Sequence, residues 1–424
     1  MQPQKQFMEK MKGGLSRNLL SSPHTYSLAK QIFVRKNNFD FQAKKALTEM
    51  ALDQAACSYR EKDRVAWTTA YFPTELIYFF DLVPFAPEVA AGASTSFEVA
   101  PELLQQAETM GLSSDSCSFH RCAAAGAELD YFPLPQYLMA SSHLCDGASR
   151  LFQHMAEKYQ KPLYFLDVPA INSEEAVNYL AEQLEEICGE LEKQTGIKLS
   201  EEKIKEVFGY VNEARQFQEE TNLVRQKYPD IISGDESLSY VYLYFVGSGH
   251  GQTGEVWKTL NRELEERAKN LQGSRSKSRS DKVRLIWLHL RPYHSSELVS
   301  YLENDLNVSI AMEEVNFVYW PPLDPEKPFK SIARKIMANP GLGPLDNRLE
   351  TIVKIVNDYK ADGVLHFSHW GCRHSVGGTV MLKKHLRRKG IPFLALDGDC
   401  IDGSSFPWGQ VRTRVDSFYE LIQQ

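Results

Sequence analysis

No CxxC pair occurs in this chain, although it carries seven cysteines. The tight paired spacing of a zinc knuckle is therefore missing. There is no P-loop, and Gly247-Ser-Gly-His-Gly251 does not match a dinucleotide-binding fingerprint, so the chain has no nucleotide-phosphate motif of its own. No uninterrupted run of about 18 apolar residues appears, which excludes a spanning helix. Met1 to Lys12 is mostly polar and charged and lacks the apolar stretch of a secretion signal. These absences predict a cytoplasmic, reducing environment, where structural disulfides are rare. An excess of positive charge is also missing: the formal charge of -7 argues against a general nucleic-acid surface.

What is present is enough apolar material, 43% of 424 residues, for more than one core. Residues 1–60 read as an N-terminal helical segment. A first α/β domain is expected over 61–171, with strands at Arg64–Thr69 and Lys161–Val168 and a strand or turn in Tyr131–Ala140. A helical connector follows over 172–235, broken at Gly196 and restarted at Ser200. The second α/β domain, 236–424, is expected to open on a strand at Leu238–Val246. Further strands are expected at Val283–Leu290, Asn316–Trp320, Asp362–Phe367 and Ile391–Leu396. Gly273–Asp281 reads as a basic, serine-rich surface loop, and Thr379–Lys389 as a helix with a basic outer face. Strands alternating with helices predict parallel sheets covered on both faces.

The cysteine positions carry the sharpest signal. Cys117 and Cys122 share one polar segment, Cys145 stands in His143-Leu-Cys-Asp146, and Cys372 in His369-Trp-Gly-Cys-Arg-His374. Cys400 follows the strand ending at Leu396. Loops at the carboxyl ends of parallel strands are where open α/β sheets build sites. Thiolates are soft, negative ligands that suit iron–sulfur clusters, zinc or copper(I). Dispersed ligands fit a cluster in a cleft better than a zinc knuckle. Buried structural cysteines and thiol catalysis stand beside that reading. Cys188, beside the stripe Leu184, Ile187, Leu191, is expected in a core. Cys57 is expected near the amino end of the first strand, away from the cleft.

With Phe72-Pro-Thr-Glu-Leu76, Cys117 with Arg121, His143-Leu-Cys-Asp146, His369-Trp-Gly-Cys-Arg373 and Gly409-Gln-Val-Arg-Thr-Arg-Val415 assembled, the chain resembles the 2-hydroxyacyl-CoA dehydratase and benzoyl-CoA reductase family from about Arg64 to its end. The resemblance implies paired Rossmann-like domains and a [4Fe–4S] cluster on Cys117, Cys145 and Cys372. It also implies electrons delivered by a separate homodimeric iron–sulfur ATPase. Cys122 and Cys400 are additional, and five cysteines resemble the double-cubane branch of the family, whose members look like homodimers with an [8Fe–9S] cluster. Cys57 is then the first candidate for a sixth ligand. The leading expectation is ATP-dependent, low-potential reduction of a small molecule at that double cluster. His143, His374 and Arg373 are the expected catalytic groups. A single-cubane subunit of a dehydratase or benzoyl-CoA reductase is the alternative, and a plain electron carrier the third reading.

Overall fold

The computed structural model describes residues 18, 20–36, 39–273 and 282–424. The chain begins with helices α1 (Pro23–Lys36) and α2 (Gln42–Arg60). Strand β1 (Val65–Thr68), helix α3 (Glu75–Phe79), strand β2 (Val83–Phe85) and helices α4 (Pro87–Ser96), α5 (Ala100–Thr109) and α6 (Ser118–Glu128) come next. Strand β3 (Tyr137–Ser141), helix α7 (Asp146–Tyr159) and strand β4 (Leu163–Leu166) complete the first sheet. Its order is β2-β1-β3-β4, and every pairing is parallel.

Two long helices follow, α8 (Glu174–Thr195) and α9 (Glu201–Lys227). Helix α8 ends where Gly196 adopts φ +74, a left-handed turn that glycine enters without a Cβ penalty. Helix α9 starts where the Ser200 side chain accepts from the Lys203 N–H. Helix α10 (Val241–Val246) and helix α11 (Gly251–Gly273) lead into the second sheet. Its elements are β5 (Val283–Leu288), β6 (Val308–Glu313), helices α12 (Pro328–Met337) and α13 (Leu345–Tyr359), β7 (Gly363–His369), helices α14 (Arg373–Gly377) and α15 (Thr379–Arg388), β8 (Phe393–Gly398) and helix α16 (Trp408–Gln423). The order β6-β5-β7-β8 repeats that of the first sheet, again wholly parallel. The fold is therefore α/β, with two Rossmann-like sheets and a helical N-terminal segment.

The central strands of both sheets are covered on two sides, so they are buried along their length rather than alternating. Val65–Thr68, Val283–Leu288 and Gly363–His369 are buried at every position. Cys188 lies in the apolar cluster that joins α8 to β4, as its stripe predicts. Helix α9 is fixed to the end of β6 by a buried bidentate pair, Arg225 to Glu313, at 2.8 Å on both oxygens. Asn316 donates to the same carboxylate, so both Glu313 oxygens are engaged, while Arg225 Nε is buried without a partner.

The strand expected at Leu238–Val246 is helical. A short apolar run without alternation does not separate a strand from a buried helix. Here Tyr240 stacks on Trp257 of α11 at 5.5 Å, and Leu243 joins the same cluster. The strand expected at Asn316–Trp320 lies instead at Val308–Glu313. Asn316 closes a 3-10 turn, and Pro321 and Pro322 follow. The three-residue β2 gave no signal above its turn-rich surroundings. Residues 274–281 of the basic, serine-rich loop lie outside the described residues.

Candidate functional site

In each sheet the winding direction reverses between the two central strands, β1 and β3 in one, β5 and β7 in the other. Such switch points leave a crevice beyond the strand carboxyl ends. The loops after all four strands line one cavity of about 260 Å³. Tyr71 enters it after β1, His143 and Cys145 after β3, His289 after β5, and Cys372 and His374 after β7. Helix α4 closes a further side with Glu88, and the start of α6 contributes Cys117 and His120.

Cys117, Cys145 and Cys372 each occupy the N-cap of a helix: α6, α7 and α14. The Cys372 sulfur accepts from the Ser375 N–H at 3.4 Å. Helix N-termini direct unsatisfied N–H groups at these positions, which favours thiolate. Burial opposes it. The Cys145 thiol is pushed up to about 12 by burial, against the pull of the Ala148 N–H. Cys117 and Cys372 are raised for the same leading reason, opposed by N–H groups of their own helices. Three thiols so placed stay protonated unless a cation is shared among them.

Two backbone features hold the cysteine loops in place. Leu144, between His143 and Cys145, has φ 59, and His289 has φ 69, conformations that cost a non-glycine residue energy and collect at functional sites. Gly371, beside Cys372, lies against the backbone of Cys117. A Cβ there would stand 2.5 Å from the Cys117 Cα, so only glycine permits this approach of two loops from different sheets.

His369 sits under the cavity, 1% exposed on its side chain. Its Nδ1 accepts from the Cys400 N–H at 3.3 Å, which leaves Nε2 as the donor of the neutral ring. That Nε2 faces the Cys117 sulfur at 3.5 Å. Asp399 Oδ1 takes the Ser118 hydroxyl at 2.6 Å and the N–H groups of Ile401 and Asp402, tying the start of α6 to the loop after β8.

The cavity imidazoles are neutral at pH 7. Burial lowers His143 to about 3, with His374 adding to the effect, and lowers His120 to about 4. His289 is held well below its usual value by burial and by His366 and His369. His143 Nδ1 and His289 Nδ1 are buried without a hydrogen-bond partner. His374 donates from Nε2 to the Gly341 carbonyl at 3.2 Å. Glu88 is raised to about 7 by burial, against the N–H groups of Glu88 itself and Ala70, and its Oε2 has no partner. Its Oε1 lies 3.8 Å from His120 Nε2, which in turn lies 3.7 Å from the Cys145 sulfur. Glu88 and Tyr71 were not singled out by the sequence, whereas His120 stands beside the cysteines and His289 opens a segment, His289–Tyr293, that resembles the family. The signal for Glu88 was only its place three residues after β2, an element the sequence did not disclose.

Of the expected site residues, Cys117, Cys145, Cys372, His143 and His374 meet at the cavity. Cys400 lies behind them, fully buried, where its thiol is raised by burial and by charge interaction with Asp399, Cys117 and Cys372. Cys122 does not join. It lines no part of the cavity and packs in the apolar cluster that also holds Phe119 and Cys400, with Cys117 against that cluster. Cys57 is also apart, on α2 with its sulfur 3.2 Å from Glu61 Oε1. Arg373 points outward, 87% exposed, and pairs with Asp146 at 2.6 Å. It lines no part of the cavity, because as the first residue of α14 it projects away from its neighbour Cys372.

The chain was compared with known proteins. Residues 69–422 match the family model of the 2-hydroxyglutaryl-CoA dehydratase D-component. The (R)-2-hydroxyisocaproyl-CoA dehydratase alpha subunit of Clostridioides difficile is 23% identical over 397 residues, 90% of this chain and 97% of its own. The (R)-phenyllactyl-CoA dehydratase alpha subunit of Clostridium sporogenes is 23% identical over 399 residues, 90% and 96% of the two chains. One of the benzoyl-CoA reductase subunits of Thauera aromatica is 22% identical over 383 residues, 82% and 86%. The match takes in every cavity loop and every strand after β1, and the chain belongs to the 2-hydroxyglutaryl-CoA dehydratase D-component family.

Proposed function

We propose that Cys117, Cys145 and Cys372 hold a [4Fe–4S] cluster, and that this chain is the cluster-bearing subunit of an enzyme acting on a small acyl-CoA thioester. The observation that carries the reading is the placement of three N-cap cysteines, from three different helices, on one cavity. Among the described residues, no group of three or more His, Cys, Asp or Glu is arranged to hold a metal ion directly. Thiols spaced around a cavity of about 260 Å³ suit a multi-atom group instead. Bound there, the group would supply single low-potential electrons.

The remaining residues prepare the cavity for such chemistry. Tyr71 packs edge-on against His143 at 5.6 Å and keeps water from the cysteine loops. Neutral His143 and His289 present ring nitrogens with no protein partner, available to a substrate carbonyl or hydroxyl. Glu88, raised to about 7, is poised between its protonated and ionised forms at neutral pH and can take up or release a proton within the cavity. The sequence carries no P-loop. As the family resemblance implies, a separate ATP-hydrolysing iron–sulfur partner would deliver the electrons. The subunit designations in the relatives' names favour a second, homologous chain.

The double-cubane reading with a homodimer remains as the second, favoured by one observation: Cys400 interacts with both Cys117 and Cys372. The test of the thioester reading is to challenge reduced protein, purified anaerobically with its electron donor, with 2-hydroxyacyl-CoA thioesters and with the free 2-hydroxy acids. Oxidation and dehydration with the thioester alone are expected. Equal response to both, or to neither, would remove the thioester assignment.

A further inference from the structure

A second large cavity, about 340 Å³, lies behind helix α4. It is walled by α1, α2, α4, α5 and the end of β2, with Ala55, Phe85, Ala90, Leu103 and Phe132 among its lining, and opens to the surface. Among the described residues, no aspartate, glutamate, lysine, arginine or histidine lines it. That separates it from the cysteine cavity, which holds Glu88 and several imidazoles.

Apart from Ser96 at the exposed end of α4, the polar groups on its walls are engaged by the protein. Tyr26 donates to the Leu20 carbonyl at 2.6 Å, and Tyr59 to the Tyr131 carbonyl at 2.6 Å. Ser58 and Ser94 donate to carbonyls one helical turn back, at 2.8 and 2.6 Å. Tyr242 donates to Gln54 Oε1 at 2.7 Å, and Gln54 Nε2 donates to the Tyr78 hydroxyl at 3.3 Å. A polar or charged guest would lose its hydration here and find no replacement. An apolar guest loses nothing. The volume lies at the lower end of small-molecule sites, about 300 Å³ upward, and exceeds the roughly 150 Å³ apolar cavity that takes up benzene.

The two cavities meet at one wall. Val89, Ala93 and Ser96 of α4, with Tyr242, line both. We propose that the larger cavity is a binding site for an uncharged apolar group, a single aromatic ring with a short alkyl chain or a branched aliphatic chain of similar volume. Two sources share this chemistry: a free apolar ligand, or the apolar end of a molecule whose reacting end lies among the cysteines. The second source rests on the thioester reading, whereas the site itself does not.

Butylbenzene and benzoate are the probes, applied to the full-length protein in thermal unfolding and titration calorimetry. Butylbenzene is expected to raise the unfolding temperature, and benzoate to leave it unchanged. Ala55→Leu and Ala90→Leu each fill the cavity from opposite walls without touching a cysteine, and either folded variant is expected to lose the butylbenzene shift. Competition of butylbenzene by 4-phenylbutyryl-CoA assigns the site to the substrate's apolar end, and binding of both together assigns it to a separate ligand. No butylbenzene shift in the unaltered protein, an equal shift with benzoate, or a full shift retained in the filled variants would overturn the proposal.

Discussion

Asp146 and Arg373 meet at 2.6 Å across the cleft, and each is the residue immediately after a cavity cysteine. The relationship follows from the repeated topology. Strands β3 and β7 hold the same place in their two sheets, and each is followed by a loop, a cysteine at a helix N-cap and then one of these charges. The pair links the two sheets on the outside of the cavity. Both side chains are more than half exposed, at 67% and 87%. Replacing Arg373 with alanine is therefore expected to cost no more than about 1 kcal/mol of stability and to leave iron loading intact. Chemical unfolding and iron analysis check this, and loss of iron would restore Arg373 to the site.

Gly371 makes the opposite prediction. An added Cβ meets backbone atoms of Cys117 at 2.5 and 2.8 Å, and backbone cannot swing aside as a side chain can. Gly371→Ala is expected to separate the Cys117 and Cys372 loops, cost about 1–3 kcal/mol and lower iron content. Gly377→Ala is the control, since nothing lies within 4 Å of the added atom.

Glu88 gives a pH signature. Its carboxyl has a higher proton affinity in the folded chain, about 7 against 4.5, because burial penalises the charged form. The folded state then binds more protons than the unfolded state between these values, so this group's contribution falls as pH rises. Relative to the native protein, Glu88→Gln is expected to show little gain below pH 4.5. The gain should grow through the window and reach about 3 kcal/mol above pH 7. Unfolding of both proteins across pH measures it, and a constant difference would refute the assignment.

Helix α15 supplies the candidate docking face. Lys383, Arg387 and Arg388 are exposed, as the basic pattern of this segment predicts, while Leu382 and Leu386 are buried on the opposite side. Reversing the three charges is expected to slow electron delivery from the ATP-hydrolysing partner and to remove its salt dependence. Reduction by dithionite should be unchanged. Equal rates from the partner before and after reversal would rule out this face.

The fold was legible where patterns were long or capped. Ser200, Gly196 and the stripe through Leu184 and Leu191 each name their structure from local chemistry. Leu238–Val246 was not legible, because an apolar run without period is decided by what it packs against, here Trp257. The site was half legible. Cys145 and Cys372 could be placed at strand ends, but Cys117 follows helix α5 rather than a strand and was legible only through its family motif. His289 reaches the cavity from β5, in a segment that resembles the family as the Cys372 loop does, whereas Glu88 comes from behind β2 and no motif joins it to the cysteines. Their convergence is a product of tertiary winding.

The most direct test is iron and acid-labile sulfide per chain on anaerobically purified protein, for the native chain and for alanine at each cavity cysteine. The account predicts about four irons per chain, abolished by Cys117→Ala, Cys145→Ala or Cys372→Ala and retained in Cys122→Ala. About eight irons, lowered by Cys122→Ala and by Cys400→Ala, would contradict the single-cubane site and establish the double cluster; iron that survives loss of all three N-cap cysteines would contradict both.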